Sequence, residues 1–243
     1  LLVIENSCQG RLSEIIDDTI VDFDTKVKSR LKEIILETQS REIALVNDDY
    51  MVGINLHDTS IYAYAPRRFA QVERLELREI TDDLLDRGVI QPSTSPYCSR
   101  VVPVRRKNGK MRLCVDLCPL NSRVNKQKYP FPLIEDFMTR LSNKTVFTLL
   151  DLKDSFHQIR VRPEHTKYFS FATPDGQFEY KYLPFGFCES PAEFQKRLIQ
   201  ILNTFIRADS IMVYIDDVLI PSETVEQNLE TLGEVLVTLR KYK

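Results

Sequence analysis

The chain has 243 residues, 43% hydrophobic and 28% charged, enough for one large domain or two small ones and too apolar for wholesale disorder. No apolar run approaches the roughly 18 residues of a spanning helix, which excludes an integral helical membrane protein. The formal net charge of −2 hides an asymmetry: residues 1–60 hold 6 Lys and Arg against 12 Asp and Glu, whereas 100–128 hold nine Lys and Arg against Asp116 alone. Such a basic stripe fits a polyanionic partner at one face, or a solvated loop.

In chain order, residues 12–46 read as an acidic helix and 47–64 as a polar connector with short extended pieces. A second helix follows, its apolar face predicted from Val72, Leu75, Leu77, Ile80, Leu84 and Leu85, with Gly88 at a left-handed stop. Gln91-Pro92-Ser93-Thr94-Ser95-Pro96 breaks structure. The runs 101–104 and 111–115 are predicted as hairpin arms around Asn108-Gly109, a pair that tolerates positive φ, so the basic stripe sits at a movable tip. Residues 146–151 read as a strand that is apolar until its last residue. The alternating runs 168–173 and 177–182 flank Pro174-Asp175-Gly176 as a second hairpin. Ser190-Pro191-Ala192-Glu193 reads as a capping box with proline at the first helical position, and Phe194, Leu198, Ile201, Leu202 and Phe205 then recur at helical spacing. A third hairpin is predicted from 211–215 and 218–220 around Asp216-Asp217. A last amphipathic helix carries Val225, Leu229, Leu232, Leu236 and Leu239.

Five scattered cysteines (Cys8, Cys98, Cys114, Cys118 and Cys188) argue against a secreted disulfide framework and for a reducing compartment. Cys114 and Cys118 find no second pair at ligand spacing, so buried thiols fit better than zinc. The opening Leu1-Leu2-Val3-Ile4-Glu5 lacks an initiator Met and a basic stretch before an apolar one, and reads as a piece of something longer.

Three carboxylates carry the chemistry. Asp151 ends an apolar strand, and Asp216 and Asp217 lie between two apolar half-strands. Carboxylates at the ends of rigid strands suit hard divalent ions such as Mg²⁺. Two such ions about 3.5–4 Å apart can clamp the attacking and leaving oxygens of an in-line phosphoryl displacement. Each residue also has a plainer reading taken singly: Asp151 as a helix N-cap, Asp216-Asp217 as turn residues.

The combination is more specific. Leu150-Asp151-Leu152-Lys153-Asp154-Ser155-Phe156-His157-Gln158-Ile159 resembles the first catalytic motif of retroelement reverse transcriptases. Leu183-Pro184-Phe185-Gly186, continuing through Ser190-Pro191-Ala192-Glu193-Phe194-Gln195, resembles their nucleotide-pocket motif. Tyr214-Ile215-Asp216-Asp217 is similar to their Tyr-x-Asp-Asp box, and 107–116 with Leu120-Asn121 to their fingers pattern. Phe185, with His57 and Gly88-Val89-Ile90-Gln91-Pro92-Ser93 upstream, is most similar to Gypsy-type long-terminal-repeat (LTR) retrotransposons. The resemblance covers about 50–243. Met111, and Leu117-Cys118 after Asp116, depart from the usual fingers residues and leave the acidic motifs untouched.

The resemblance implies an α+β right-hand polymerase, fingers plus palm, with the thumb absent. Fingers would take about 66–125 and 159–189, and palm about 126–158 and 190–243, after a connector at 1–65. It implies two Mg²⁺ ions, with Mn²⁺ as a substitute, held by Asp151, Asp216, Asp217 and the Leu152 carbonyl. Arg112, Lys110 and Arg106 would bind the incoming triphosphate, a task suited to their charge and to the forked guanidinium. Phe185 and Gln195 would line or support the nucleotide site, although by helical pattern alone Gln195 is equally an exposed amide. Phe156 would be the steric gate against a 2′-hydroxyl, and read singly it is a core phenylalanine.

Implied partners are an RNA template, a DNA primer or template and dNTPs. Implied polyprotein neighbours are a protease, ribonuclease H and integrase, in cytoplasmic virus-like particles and away from membranes. The alternatives are a catalytically inactive, nucleic-acid-binding derivative and a viral RNA-dependent RNA polymerase.

Overall fold

Residues 24–46, 49–105, 109 and 111–242 are described by a computed structural model of the chain. Helix α1 (Thr25–Ser40) opens on Asp24, whose carboxylate accepts from the Lys26 N–H at 3.2 Å. The 12–46 helical expectation overshoots, since the chain leaves the helix at Arg41 in an extended conformation and 41–46 are not helical; residues 12–23 lie outside the described residues. After β1 (Met51–Val52) comes α2 (Gln71–Asp86), where the Glu73 carboxylate accepts from the Ala70 N–H at 3.0 Å and Gly88 (φ +66°) ends the run. Next are β2 (Ile90–Pro92), β3 (Ser99–Arg105), β4 (Met111–Asp116), and the short helices α3 (Cys118–Asn121) and α4 (Ile134–Arg140). β5 (Val146–Asp151) leads through a 3₁₀ turn, Ser155–Gln158, to β6 (Arg160–Val161). A second 3₁₀ segment, Pro163–Phe169, precedes β7 (Ser170–Thr173) and β8 (Gly176–Tyr180). The chain continues with α5 (Ser190–Ile201), α6 (Asn203–Arg207), β9 (Met212–Tyr214), β10 (Asp217–Ser222) and α7 (Val225–Lys241).

These elements form two compact units. The first takes Leu1–Asp48, Pro130–Lys153 and Phe194–Lys243. Its antiparallel sheet has the order β5-β10-β9. Inward-facing Leu150, Val218, Ile220 and Val213 are buried, and α7 lies against the strands. There Asn228, 2% exposed, donates to the Ile220 carbonyl at 2.8 Å and accepts from the Thr148 hydroxyl, so the polar residues under the sheet are satisfied. α1 packs on α7, with Ile34 against Gly233, and Ile34, Ile35 and Leu232 are buried. β5, apolar in sequence but for Thr148 and its last residue, has one covered face: Phe147 and Leu149 are 49% and 43% exposed, and they alternate onto the face that also carries Asp151.

The second unit takes Asp49–Tyr129 and Asp154–Glu193. Its five-stranded sheet has the order β2-β8-β7-β3-β4, parallel only between β3 and β7; β1 and β6 pair separately. The β7–β8 turn is tied down by Asp175, which accepts from Arg74 and Arg78 at 2.6 and 2.8 Å.

Several local expectations change, among them the buried thiols, since Cys118 and Cys188 are exposed. α2 buries Leu77, Thr81 and Leu84, while Val72 and Leu75 are 63% and 50% exposed, because a surface helix needs only a narrow stripe toward its sheet. Tyr168 and Phe169 belong to the 3₁₀ segment rather than to a strand, so the β7 arm begins two residues later. The capping box at Ser190 does not form. The Ser190 hydroxyl donates to the Pro184 carbonyl at 2.9 Å, and Glu193 accepts from the Tyr50 hydroxyl at 2.8 Å; partners outside the motif outcompete the local reciprocal pair.

Candidate active site

In the first unit, β5 and β10 run antiparallel with Asp151 directly opposite Asp217. Residues facing each other across such a ladder project to the same face, so two acids far apart in sequence share one edge of the sheet. Asp216 joins them through the backbone: its carbonyl accepts from the Leu152 N–H at 3.0 Å, fastening the end of β5 to the turn.

That turn is a two-residue loop, Ile215-Asp216, between the paired Tyr214 and Asp217. Ile215 has φ +56°. A β-branched residue in the left-handed region is strained by roughly 1–2 kcal/mol, and the structure holds it with one side chain. Gln195 of α5 is 0% exposed. Its Nε2 donates to the Val213 carbonyl at 3.0 Å, and its Oε1 accepts from the Ile215 N–H. The exposed-amide reading of Gln195 is therefore wrong: the helix turns this position inward because the turn offers two backbone groups that α5 would otherwise leave buried and unpaired.

The electrostatics agree with the register. Burial first, then the charges of Asp216 and Asp151, push the Asp217 carboxyl above its ordinary pKa. Like charges gathered at a half-exposed sheet edge are relieved by a cation, and an all-oxygen donor set of carboxylates with a nearby carbonyl suits Mg²⁺. Among the described residues no three carboxylate, imidazole or thiol groups form a ready-made metal cage. Mg²⁺ needs none, since it keeps waters and takes further oxygens from phosphate. The residues present therefore fit the ion.

The second unit holds the other predicted residues. Arg112 on β4 lays its guanidinium over the Phe185 ring, 4.7 Å from the centroid. Phe156, in the Ser155–Gln158 turn, lies 4.9 Å from Phe185 and is 8% exposed. Arg106 and Lys110 lie outside the described residues. The Phe185 loop is shaped by Gly186 (φ +89°) and by Asn121, whose amide donates to the Gly186 carbonyl at 2.8 Å and accepts from the Cys188 N–H at 2.9 Å. Asn121 belongs to the fingers pattern, but that pattern assigns it no partner, and the 65 residues to Gly186 leave no local signal.

A profile of the family described as "Reverse transcriptase (RNA-dependent DNA polymerase)" matches residues 104–243. Among curated proteins, the transposon Tf2-3 polyprotein of Schizosaccharomyces pombe is 36% identical over 156 residues, 64% of this chain and 12% of that polyprotein; Tf2-7 is 35% identical over the same length. Among solved structures, native prototype foamy virus protease–reverse transcriptase superposes with a TM-score of 0.78 at 20% identity, covering 99% of this chain and 32% of that one. The foamy viral protease–reverse transcriptase in complex with an RNA/DNA hybrid gives 0.75 at 19% identity, covering 99% and 33%. The likeness fixes the fold as the α+β fingers-and-palm type, and the chain spans 12% of the length of the curated relatives.

Proposed function

The chain belongs to the reverse transcriptase (RNA-dependent DNA polymerase) family, and on that premise we propose that it is the fingers-and-palm portion of an RNA-directed DNA polymerase from a Gypsy-type LTR retrotransposon polyprotein. The unit containing β5, β10 and β9 is the palm, and the unit containing the five-stranded sheet is the fingers. The observation that carries the reading is the pairing of Asp151 with Asp217 beside the Leu152–Asp216 backbone bond.

Asp151 and Asp216 would be the main ligands for two Mg²⁺ ions, with Asp217 as the third acid and the Leu152 carbonyl as a further oxygen donor. When bound, the ions would acidify a primer 3′-hydroxyl and stabilise departing pyrophosphate. Arg112, together with Lys110 and Arg106, neutralises the triphosphate of the incoming dNTP, orienting its α-phosphate for in-line attack. Phe156 excludes a 2′-hydroxyl, which makes DNA the product. Gln195 keeps the acid-bearing turn in its strained conformation. Phosphate contacts to an RNA or DNA template and its primer make binding salt-sensitive. The relatives that are polyproteins support a cytoplasmic particle as the setting, with a protease, ribonuclease H and integrase as neighbours. No helix among the described residues is long and apolar enough to cross a membrane.

Primer extension on an RNA template tests this reading. Mg²⁺-dependent incorporation of dNTPs that vanishes in Asp151→Asn is the expected result. Retarded mobility of primer–template with no extension in any divalent ion would favour the inactive, nucleic-acid-binding alternative.

A further inference from the structure

His157 lies at the centre of the aromatic cluster of the second unit. Its ring stacks on Tyr180, 5.8 Å between centroids and 26° between planes. It meets Phe185 in a T-shaped contact at 5.4 Å and 77°. Phe185 touches Phe156 and carries the Arg112 guanidinium. Tyr180 is a firm base for the stack. It is 5% exposed, pairs with Ile90 across β2 and β8, and packs on Phe171 at 5.3 Å. The contacts thus run without a break from the sheet to the cation: Phe171, Tyr180, His157, Phe185, Arg112.

The imidazole Nδ1 is buried and has no hydrogen-bond partner among the described residues. An unpaired buried ring nitrogen is a cost, so the ring is held by its aromatic neighbours. Burial, followed among the charges by Asp154 acting the other way and by Arg87 and Arg112, leaves its pKa below the ordinary histidine value. That direction favours the neutral ring beside Arg112.

We propose that His157 is a positioning residue for nucleotide binding: it braces Phe185 and, through Phe185, holds Arg112 where a triphosphate can be gripped. The proposal rests on the assignment of Arg112 to the triphosphate.

The test is the affinity of the chain for magnesium dTTP, measured by calorimetric titration in the wild type, in His157→Leu, His157→Phe and Arg112→Ala, and in the double variant that combines H157L with R112A. His157→Leu, which fills space without a ring, is expected to weaken binding about fivefold to thirtyfold, the worth of a partly desolvated cation–π contact. His157→Phe, which restores an aromatic face, is expected to bind within about twofold of wild type, and H157L is expected to add less than about twofold once R112A is present. A folding defect alone would leave the affinity of the folded fraction unchanged and would not vanish in the R112A background. Wild-type affinity in H157L, or its full penalty persisting in R112A, overturns the proposal. Should R112A itself bind normally, or the wild type not bind at all, the Arg112 assignment fails and this inference with it; weak R112A with normal H157L refutes the inference alone.

Discussion

Replacing Gln195 with methionine isolates the clamp under the acidic turn, because methionine fills similar space without polar atoms. The substitution leaves the Val213 carbonyl and the Ile215 N–H without the partners they have now, in a place where Gln195 is 0% exposed. Each unpaired buried group costs about 1–3 kcal/mol. Partial relaxation of the turn away from its strained φ recovers some of this, so the net loss is expected near ~3 kcal/mol. Urea unfolding measures that loss directly, and single-nucleotide extension against Mg²⁺ concentration measures its consequence: the half-saturating Mg²⁺ should rise as Asp216 loses its fixed place. Ile215→Gly should recover part of both effects in the Gln195→Met background, because glycine adopts positive φ without strain. Stability within about 0.5 kcal/mol of wild type, together with an unchanged Mg²⁺ requirement, would refute the argument.

Asp217→Asn should abolish or cripple extension and yet raise the melting temperature in EDTA at pH 7–8. The raised folded-state pKa means that stability is full below the unfolded value and is lost as pH rises through the folded one, so differential scanning in EDTA should show the gain shrinking at acid pH. Phe156→Val should admit ribonucleotides, measured as the ratio of rCTP to dCTP incorporation; an unaltered ratio counts against the gate. Asp175, held down at about 2 by Arg78 and Arg74, contributes stability above the ordinary carboxylate pKa that is lost as pH falls toward 2. The melting temperatures of wild type and Asp175→Asn should therefore converge over that interval, and parallel curves would exclude the Arg–Asp pairing as the cause.

What could be read from the sequence follows the range of each interaction. β5, the β3–β4 hairpin and the start of α5 carry their signals within a few residues: an apolar run ending in an acid, an Asn-Gly turn, a Ser-Pro opening. The capping box shows where that logic stops. Its residues are all present, but the Pro184 carbonyl six residues upstream and Tyr50, distant in sequence, take the partners that the local pattern predicts. Gln195 shows the same limit from the other side. A glutamine beside an apolar helical stripe reads as surface, and only the positive φ of Ile215, twenty residues on, explains its burial. Val72 and Leu75 are apolar without being core because periodicity marks the face of a helix, not the width of what covers it.

Strain and charge repulsion meet at the same four residues, 214–217, and neither is accidental to a fold that is otherwise locally consistent. Ile215 occupies a conformation that glycine would hold at no cost, and Asp217 carries a carboxyl that its neighbours disfavour in ionised form. Rigid pairing of β10 with both β5 and β9 keeps the acids from separating to relieve that repulsion, and the Gln195 amide keeps the turn from relaxing. The strain at Ile215 and the repulsion at Asp217 work against the stability of the isolated chain, and the repulsion is relieved by a ligand that brings positive charge to the sheet edge. A divalent cation is the simplest such ligand. The acid cluster should therefore be among the least stable parts of the palm without Mg²⁺ and among the most protected with it, a contrast that amide exchange at 150–152 and 213–218 would read residue by residue.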